Sequence, residues 1–559
     1  MKRMKKAVAM LLVFIMTGSL LSGCGNSKGK LITLTIYSQL ANYSGEMQGW
    51  FAKIFEQRWG VKVNLVPETG GVYDTRMEAG DLGDIVILGS DGADFVQAIE
   101  AGLLLDWEED NLLQEYGPYI WENMQPALNK NREVSGDGKI HGFGYNVAAS
   151  SDSHDAFMYT WDIRWDLYEQ LGHPEVNDMD DLLEVLADMQ ELSPTGDDGK
   201  KTYAMSLWPD WDGTLVMYPK SLATAFYGPD GDFGMGHYNP QTGEFQGALD
   251  EGSIYLEMVE WFNKLYRRGL LDPDSMTQKY DQYIEKAQNG NVLFSIFDYA
   301  GSQAFNNDAH FSQNQIMLPL VPTEATPIVG GLSPLGGSRV WCIGANTQYP
   351  EICMEIINWL CTPEGVITME YGPKGLTWDY DENGKTYFTD FGKTCVEDRT
   401  TLMPDEWGGA TFNDGAFQPN NRTWTIADIN PESGEPYDKQ YWASNQVPEG
   451  RCDAERDWRA FTGAETVQGY MDSRDKFLVD QPTTYSSSKK DAELDSIYSQ
   501  VATCIKDYSW RAIYANSEEE FDQIISEMIE KANAYGYAQC IEWDKKEAEI
   551  KNALQEPLR

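Results

Sequence analysis

The chain has 559 residues, long enough for several domains, and its 42% hydrophobic content is enough to build real cores. Against 88 acidic residues it sets only 43 lysines and arginines, a formal charge of −45. Such a surface repels phosphate backbones, so no nucleic acid partner is expected, and solubility alone is a sufficient reason for the excess acid.

Lys2, Arg3, Lys5 and Lys6 open the chain, and Ala7 to Met16 is an unbroken apolar run. The run is too short to span a bilayer, which takes about 20 apolar residues. Charge, apolar run and small residues in that order predict a secretory signal peptide over residues 1–23. The ending Leu21-Ser22-Gly23-Cys24 resembles the lipobox of bacterial lipoproteins. That resemblance implies a lipidated Cys24 carrying palmitate, a polar tether over residues 24–30, and a place on the extracellular face of the cell membrane. An ordinary signal peptide with a chance cysteine is the plainer alternative.

Residues 31–37 alternate apolar and polar, as a strand does, and a loop follows at 38–45. Met47, Trp50, Phe51, Ile54 and Phe55 repeat at helical spacing, Val61, Val63 and Leu65 alternate again, and Asp84-Ile-Val-Ile-Leu88 is a short buried-strand run. This βαβαβ order implies a parallel sheet flanked by helices, with ligands at the carboxyl ends of its strands, where the loops 38–45 and 89–92 fall. Residues 141–147 read as a crossover. Then come a strand at 157–161, helices at 162–171 and 178–192, a strand at 203–208 with its loop 209–213, and a helix near 214–226. A hairpin at 238–246, helices at 254–268 and 280–288, an apolar strand at 292–297 and two strand-like pieces within 316–345 complete the middle. Residues 350–361 form a helix, with a second from Pro363. Residues 374–450 are turn-rich, and the tail from 451 is helical. No repeat or linker cuts the chain, which favours interleaved lobes.

The eight cysteines include no C-x-x-C pair and the five histidines have no metal spacing, so neither a disulfide framework nor a histidine metal site is expected, and no cofactor. The 18 tryptophans and 30 tyrosines are more telling, because many stand in Gly-, Asp- and Pro-rich stretches rather than in periodic segments.

Several stretches, in order, resemble the extracellular solute-binding lipoproteins of bacterial ABC importers, of the large oligosaccharide-binding type. They are Ile36-Tyr37-Ser38, Ala79-Gly-Asp-Leu-Gly-Asp-Ile-Val86 (Gly83 where proline is usual), Tyr159-Thr-Trp-Asp162 with Leu171-Gly172, and Asn289-Gly-Asn-Val-Leu-Phe294. The longest is Tyr349-Pro-Glu-Ile-Cys-Met-Glu-Ile-Ile-Asn-Trp-Leu360, followed by Thr362-Pro-Glu-Gly365 and Tyr371-Gly-Pro-Lys-Gly-Leu-Thr-Trp378. The resemblance implies an α/β, two-lobed periplasmic-binding-protein-like fold of type II. Each lobe is then a mainly parallel sheet flanked by helices, with a helix-rich C-terminal extension. It places lobe 1 at 31–146 plus 299–345 and lobe 2 at 147–298 plus 346–559, with crossings near Asn146, Asp298 and Asn346. It implies a monomer that captures an oligosaccharide between its lobes and docks on the importer permease subunits.

A sugar site needs flat aromatics for C–H faces and polar side chains for hydroxyls. Trp208 and Trp211, in the loop Trp208-Pro-Asp-Trp-Asp212, are the first candidates, against the alternative that one packs inward. Ser38, Tyr43, Ser90 and Asp91 lie in strand-end loops of the first lobe, although capping and turn roles suit Ser and Asp equally well. Asn146, Asp298 and Tyr299 sit at expected crossings. Arg339, Trp378, Trp407 and Trp424 are further candidates, whereas Trp50, Trp261 and Trp341 read as core. Asp379, Asp381, Asn383 and Asp390 fit a calcium-loop pattern with Asp in place of the final Glu, but Asn383-Gly384 between strand-like flanks is also a hairpin signal. Residues 195–200 look too short in ligands for calcium. No catalytic motif appears, so no enzyme is expected. A membrane-anchored glycoside hydrolase, a binder of peptide or another solute, and a surface adhesion or structural lipoprotein are the alternatives.

Overall fold

The computed structural model describes residues 31–559 apart from 42, 145–146, 152–153, 337–338, 417–418, 420–426 and 475. The signal peptide, Cys24, the tether, Asn146 and Trp424 lie outside the described residues. None of the described helices is long and apolar enough to cross a membrane.

Strand β1 (Ile32–Ser38) takes the alternation of its sequence into the structure, with Leu34 and Ile36 buried. The chain turns through the short β2 (Gly45–Glu46) into helix α1 (Gly49–Trp59). Trp50, Phe51, Ile54 and Phe55 fall on the buried face of α1 because 3.6 residues per turn bring them to one side. Gly60 ends the helix at φ 66°, a left-handed cap that lets its N–H reach the carbonyls of Glu56 and Phe55. Strands β3 (Val61–Pro67) and β4 (Ile85–Leu88) both pair parallel with β1, as the βαβαβ reading requires. Strand β5 (Gly142–Gly144) closes the first pass through this sheet; a Cβ on Gly142 would sit 2.3 Å from the Trp341 carbonyl oxygen, which is why glycine stands there.

The chain then enters a second sheet. Strand β6 (Tyr159–Arg164) is its centre, flanked by β7 (Phe294–Phe297) and β8 (Met317–Pro319), both antiparallel to β6. Between β6 and β7 come helix α2 (Met179–Leu192), N-capped by the Asp178 carboxylate, and helix α3 (Tyr280–Gln288). Residues 203–208 do not form the expected strand; Tyr203 and Met205 make isolated parallel bridges to Val292 and Leu271. Strand β9 (Ile328–Gly330) leads out, and β10 (Val340–Ile343) returns to the first sheet between β4 and β5, antiparallel to both. The first sheet therefore runs β2-β3-β1-β4-β10-β5. Neither sheet is mainly parallel: parallel pairing needs a helical crossover within one lobe, and β10 arrives from the other lobe, in the opposite direction.

Helix α4 (Pro350–Cys361) follows, then the hairpin β11 (Trp378–Tyr380) and β12 (Thr386–Phe388). Much later β13 (Leu478–Asp480) pairs with β9, and helices α5 (Ala492–Ile513), α6 (Glu518–Tyr535) and α7 (Tyr537–Gln555) form the helical tail.

Two main hydrophobic cores show how the lobes divide. One gathers buried residues from 34–147 and 341–442, the other from 157–329 and 452–541. The sequence-based boundaries thus shift at two places. Residues 299–329 stay with the second lobe, because Met317, Leu318 and Pro319 pair with Arg164, Ile163 and Asp162. Residues 346–442 stay with the first, because Thr347 Oγ donates to Asp84 at 2.6 Å and α4 buries Ile356 and Ile357 in that core. Besides the first crossing near 147–157, the chain crosses at 329–341 and 442–452, not at Asp298 and Asn346. Two of these crossings run side by side: Ala148 N–H donates to Ser333 O at 2.9 Å and Asp155 N–H to Gly330 O at 2.8 Å.

Candidate functional site

The second lobe presents an aromatic wall. Trp208 is fully buried and serves as its underlay, with ring centroids 4.5 Å from Tyr283, 4.9 Å from Tyr280 and 5.2 Å from Tyr218. Trp211 stands edge-on to it at 5.4 Å and is 48% exposed. Tyr280, the first residue of α3, lies 4.4 Å from Trp211 with its plane tilted 33°, and Tyr299 lies 6.0 Å from Trp211 and 6.3 Å from Tyr280. Tyr299 is itself stacked on Phe297 of β7 at 5.0 Å. The loop is pinned: Asp212 accepts from Met217 N–H at 2.8 Å and from the Trp510 indole at 2.7 Å, and Asp210 accepts from Tyr280 N–H at 3.2 Å. Trp211 is thus a rigid, exposed indole on a bed of rings.

Carboxylates border this wall. Asp298, just past β7, is half-buried; its carboxylate accepts from Tyr299 N–H at 2.6 Å and Gln303 Nε2 at 2.7 Å. Burial, reinforced by the charge of Asp162, pushes its carboxyl up to about 7. Asp162 on β6 is 1% exposed, accepts from Ser302 N–H at 2.6 Å, and is pushed up to about 6, chiefly by burial.

The first lobe contributes the facing charges. Arg399 lies over the Phe412 ring of the first core at 5.4 Å, and its Nε donates to Asn413 at 3.2 Å. Across the lobes, burial pushes the Tyr280 phenol up to about 12 while the Arg399 cation opposes that rise. Asp438 caps the short turn Lys439–Tyr441, and its charge adds to the upward push on Asp298. Tyr441 in turn feels both Asp438 and Asp298. The rings and carboxylates of the second lobe and Arg399, Asp438 and Tyr441 of the first therefore lie within electrostatic reach of one another. A separate cavity of about 670 Å³, between Phe245, Gln246 and Ile254 on one side and Lys545 and Glu549 of α7 on the other, shares no residue with either wall.

Of the residues expected from sequence, Trp211, Asp298 and Tyr299 come together here, and Trp208 supports them from below. The first-lobe loop residues are engaged elsewhere. Ser38 is buried, its hydroxyl accepting from Leu40 N–H at 3.1 Å and donating to Pro419 O at 3.3 Å. The Tyr43 hydroxyl donates to Glu46 O at 3.0 Å, and Ser90 Oγ accepts from Gly92 N–H at 3.3 Å. Asp91 is buried in an ion pair with Lys130 at 2.8 Å, both side chains under 6% exposed. Arg339 is half-buried beside β10. Trp378 is core, fully buried with its indole donating to Gly372 O at 2.8 Å, and Trp407 packs half-buried against the first core. Trp50, Trp261 and Trp341 are core, as their spacing indicates.

The calcium-like stretch folds as the hairpin β11–β12, in which Asp381 accepts from the backbone of Asn383 and Lys385, both at 2.8 Å. Asp390 starts the helix after it, and among the described residues no three His, Cys, Asp or Glu side chains are grouped to hold a metal. Cysteines 342, 353, 361, 395, 452, 504 and 540 are all buried. Tyr280, Arg399, Asp438 and Tyr441 were missed by sequence reasoning. The one available signal was Arg399, a cation in a turn-rich stretch of a chain so poor in cations.

Comparison with known proteins places this geometry. The chain is 23% identical over 286 residues to the lipoprotein LipO of Bacillus subtilis (strain 168), a match covering 50% of the chain and 51% of the relative. The chain thus spans about half the length of that curated relative. Its fold matches an HMO-binding, ABC-transporter-associated solute-binding protein from Bifidobacterium longum infantis at TM-score 0.55 and 13% identity, covering 94% of this chain and 100% of that one. It also matches the N-glycan transport solute-binding protein NgtS from Streptococcus pneumoniae at TM-score 0.54 and 15% identity, covering 93% and 99%. The family description of bacterial extracellular solute-binding proteins matches residues 50–373, more than half of the chain, and to that family the chain belongs.

Proposed function

We propose that this protein captures a neutral oligosaccharide between its lobes and hands it to the permease subunits of an ABC importer, working as a monomer held outside the cell membrane by a lipid on Cys24. The observation that carries the reading is the exposed indole of Trp211, braced by Tyr280 and Tyr299. The rings take the apolar face of a pyranose or furanose. Asp298, Arg399 and Tyr441 take its hydroxyls. Ligand contacts made from both walls at once favour the closed form, so binding and closure are one event. Proteins of this fold whose names record HMO, N-glycan and kestose ligands support a sugar over a peptide.

Hydrolysis fits the site less well. A glycosidase needs two carboxyls reaching one bond from either side. Of the three carboxyls here, Asp162 is sealed beneath Ser302 and Asp438 is buried and engaged by the N–H and side chain of Gln440, which leaves Asp298. Calorimetry across a panel of oligosaccharides, with a product assay run in parallel, tests both points. Saturable binding without product is expected; release of shorter sugars refutes a pure binder, and silence across the panel refutes a sugar ligand.

A further inference from the structure

The end of the first sheet remote from the strand-end loops carries a second aromatic hollow. Helix α1 runs back along the sheet and stops at Trp59, next to the start of β3, where Ile32 N–H donates to Gly60 O at 3.0 Å. The last turns of α4 bring Trp359 against Trp59, ring centroids 5.7 Å apart and planes at 67°. The Arg58 guanidinium covers the Trp359 ring at 4.6 Å and pairs with Glu364. Cavities open on both sides of this stack. One, of about 440 Å³, is lined by Trp59, Tyr116, Glu115, Glu355 and Asn358 as well; the other, of about 110 Å³, reaches Lys374 and Trp407. Asn358 fixes the rim by accepting from the N–H groups of Tyr119 and Ile120 at 2.9 and 3.2 Å. Trp359 borders both cavities, is 8% exposed, and its indole N–H meets no acceptor among the described residues.

We propose that this hollow is a second carbohydrate site, separate from the interlobe gap, that takes one or two uncharged sugar units. The larger cavity has the size of a small-ligand site. Trp59 and Tyr116 offer flat faces for C–H bonds, and Glu115 and Glu355 accept hydroxyls. Arg58 is already neutralised by Glu364, so the larger cavity, whose lining holds no other cation, has none to spare for an anionic ligand. Its carboxylates also set it against an anionic lipid surface. Because the hollow belongs to the first lobe alone, it binds without closure and acts as a holding point that keeps a glycan near the interlobe gap.

The test uses the chain from residue 24 onward, labelled with 15N at tryptophan, titrated with maltose, lactose, sucrose and N,N′-diacetylchitobiose at millimolar concentration. The indole signals of Trp59 and Trp359, assigned from Trp59→Phe and Trp359→Phe variants, are expected to shift with at least one disaccharide. The shift should persist in a Trp211→Ala, Tyr280→Ala variant and weaken at least about fivefold in Glu115→Gln, Glu355→Gln. These glutamates are exposed, so the fold tolerates their loss. No shift with any of the four sugars overturns the proposal. So does a shift that disappears with Trp211 and Tyr280, or Trp59-dependent sedimentation with phosphatidylglycerol vesicles in place of a sugar response. Failure of the interlobe reading shows differently, as Trp59 shifts with no Trp211-dependent binding.

Discussion

The two walls of the gap are built on opposite plans. The second lobe buries Trp208 so that Trp211 is held out, with 48% of its surface left exposed. The first lobe does the reverse at its strand ends, where Ser38, Tyr43, Ser90 and Asp91 spend their hydrogen bonds or charge on their own loops. The first-lobe loops stand at the carboxyl ends of strands, the usual place for a ligand, whereas the Trp211 loop follows no strand. Position alone therefore does not make a site; a polar group satisfied within the protein has little left to offer a sugar. On the proposed reading the first lobe meets the sugar instead through Arg399, Asp438 and Tyr441.

This contrast can be broken by mutation. The largest effects should be on stability. Trp208→Ala removes a buried indole from a bed of rings and should cost about 3–5 kcal/mol in urea unfolding. Lys130→Met strands the buried Asp91 carboxylate and should cost a similar 3–5 kcal/mol without changing affinity in the remaining folded protein. A mild Lys130→Met phenotype with lost binding would move Asp91 into the site after all. Next comes Trp211→Ala with Tyr280→Ala, which should weaken sugar binding by about 2–4 kcal/mol in calorimetry while thermal unfolding barely moves. Arg399→Gln should cost about 1–2 kcal/mol of affinity, as loss of a charged hydrogen-bond donor does. Tyr43→Phe should change nothing measurable; a loss there exceeding that of Trp211→Ala would reverse the assignment of the walls.

A pH series sharpens the same contrast, since Asp298 titrates near neutrality in the folded chain. Its folded value lies above the ordinary 3.8, so the folded state holds a proton that the unfolded state releases. Stability of the free protein should therefore fall as pH rises from about 4 to about 7, and Asp298→Asn should flatten that slope. Sugar hydroxyls donate to the ionised form, so affinity should move the other way, rising from about pH 6 to 8 in the wild type and staying level in Asp298→Asn. A level profile in both proteins would remove Asp298 from the ligand's contacts.

Much of the scaffold was legible because it is local. Alternation in β1 and β3 and the helical repeat of Trp50, Phe51, Ile54 and Phe55 specify which face is buried, whatever the rest of the chain does. Trp211 was legible too, as an aromatic in a turn of Pro, Asp and Gly. The lobe boundaries were not. Strands β8 and β10 are both short apolar runs, and only long-range pairing decides that one stays with β6 while the other slots between β4 and β5. Trp378 looked exposed among turn residues but is capped by a neighbouring carbonyl, a contact that no spacing rule encodes. Tyr280 and Arg399 meet only across the gap, more than a hundred residues apart in the chain.

The threefold crossing between lobes also sets the order in which the chain can assemble. After β4 is made, the sheet edge that β10 must occupy stays open for about 250 further residues. The second lobe is likewise incomplete until α5 and α6 arrive near the C-terminus. The first lobe is complete only at Trp442 and the second later still, so the growing chain carries an exposed strand edge through the middle of its synthesis. That arrangement suits a polypeptide that must stay unfolded until it is released whole. It also means that truncation before the last helices strips the second core of its C-terminal part while the first core, complete by Trp442, keeps all its residues.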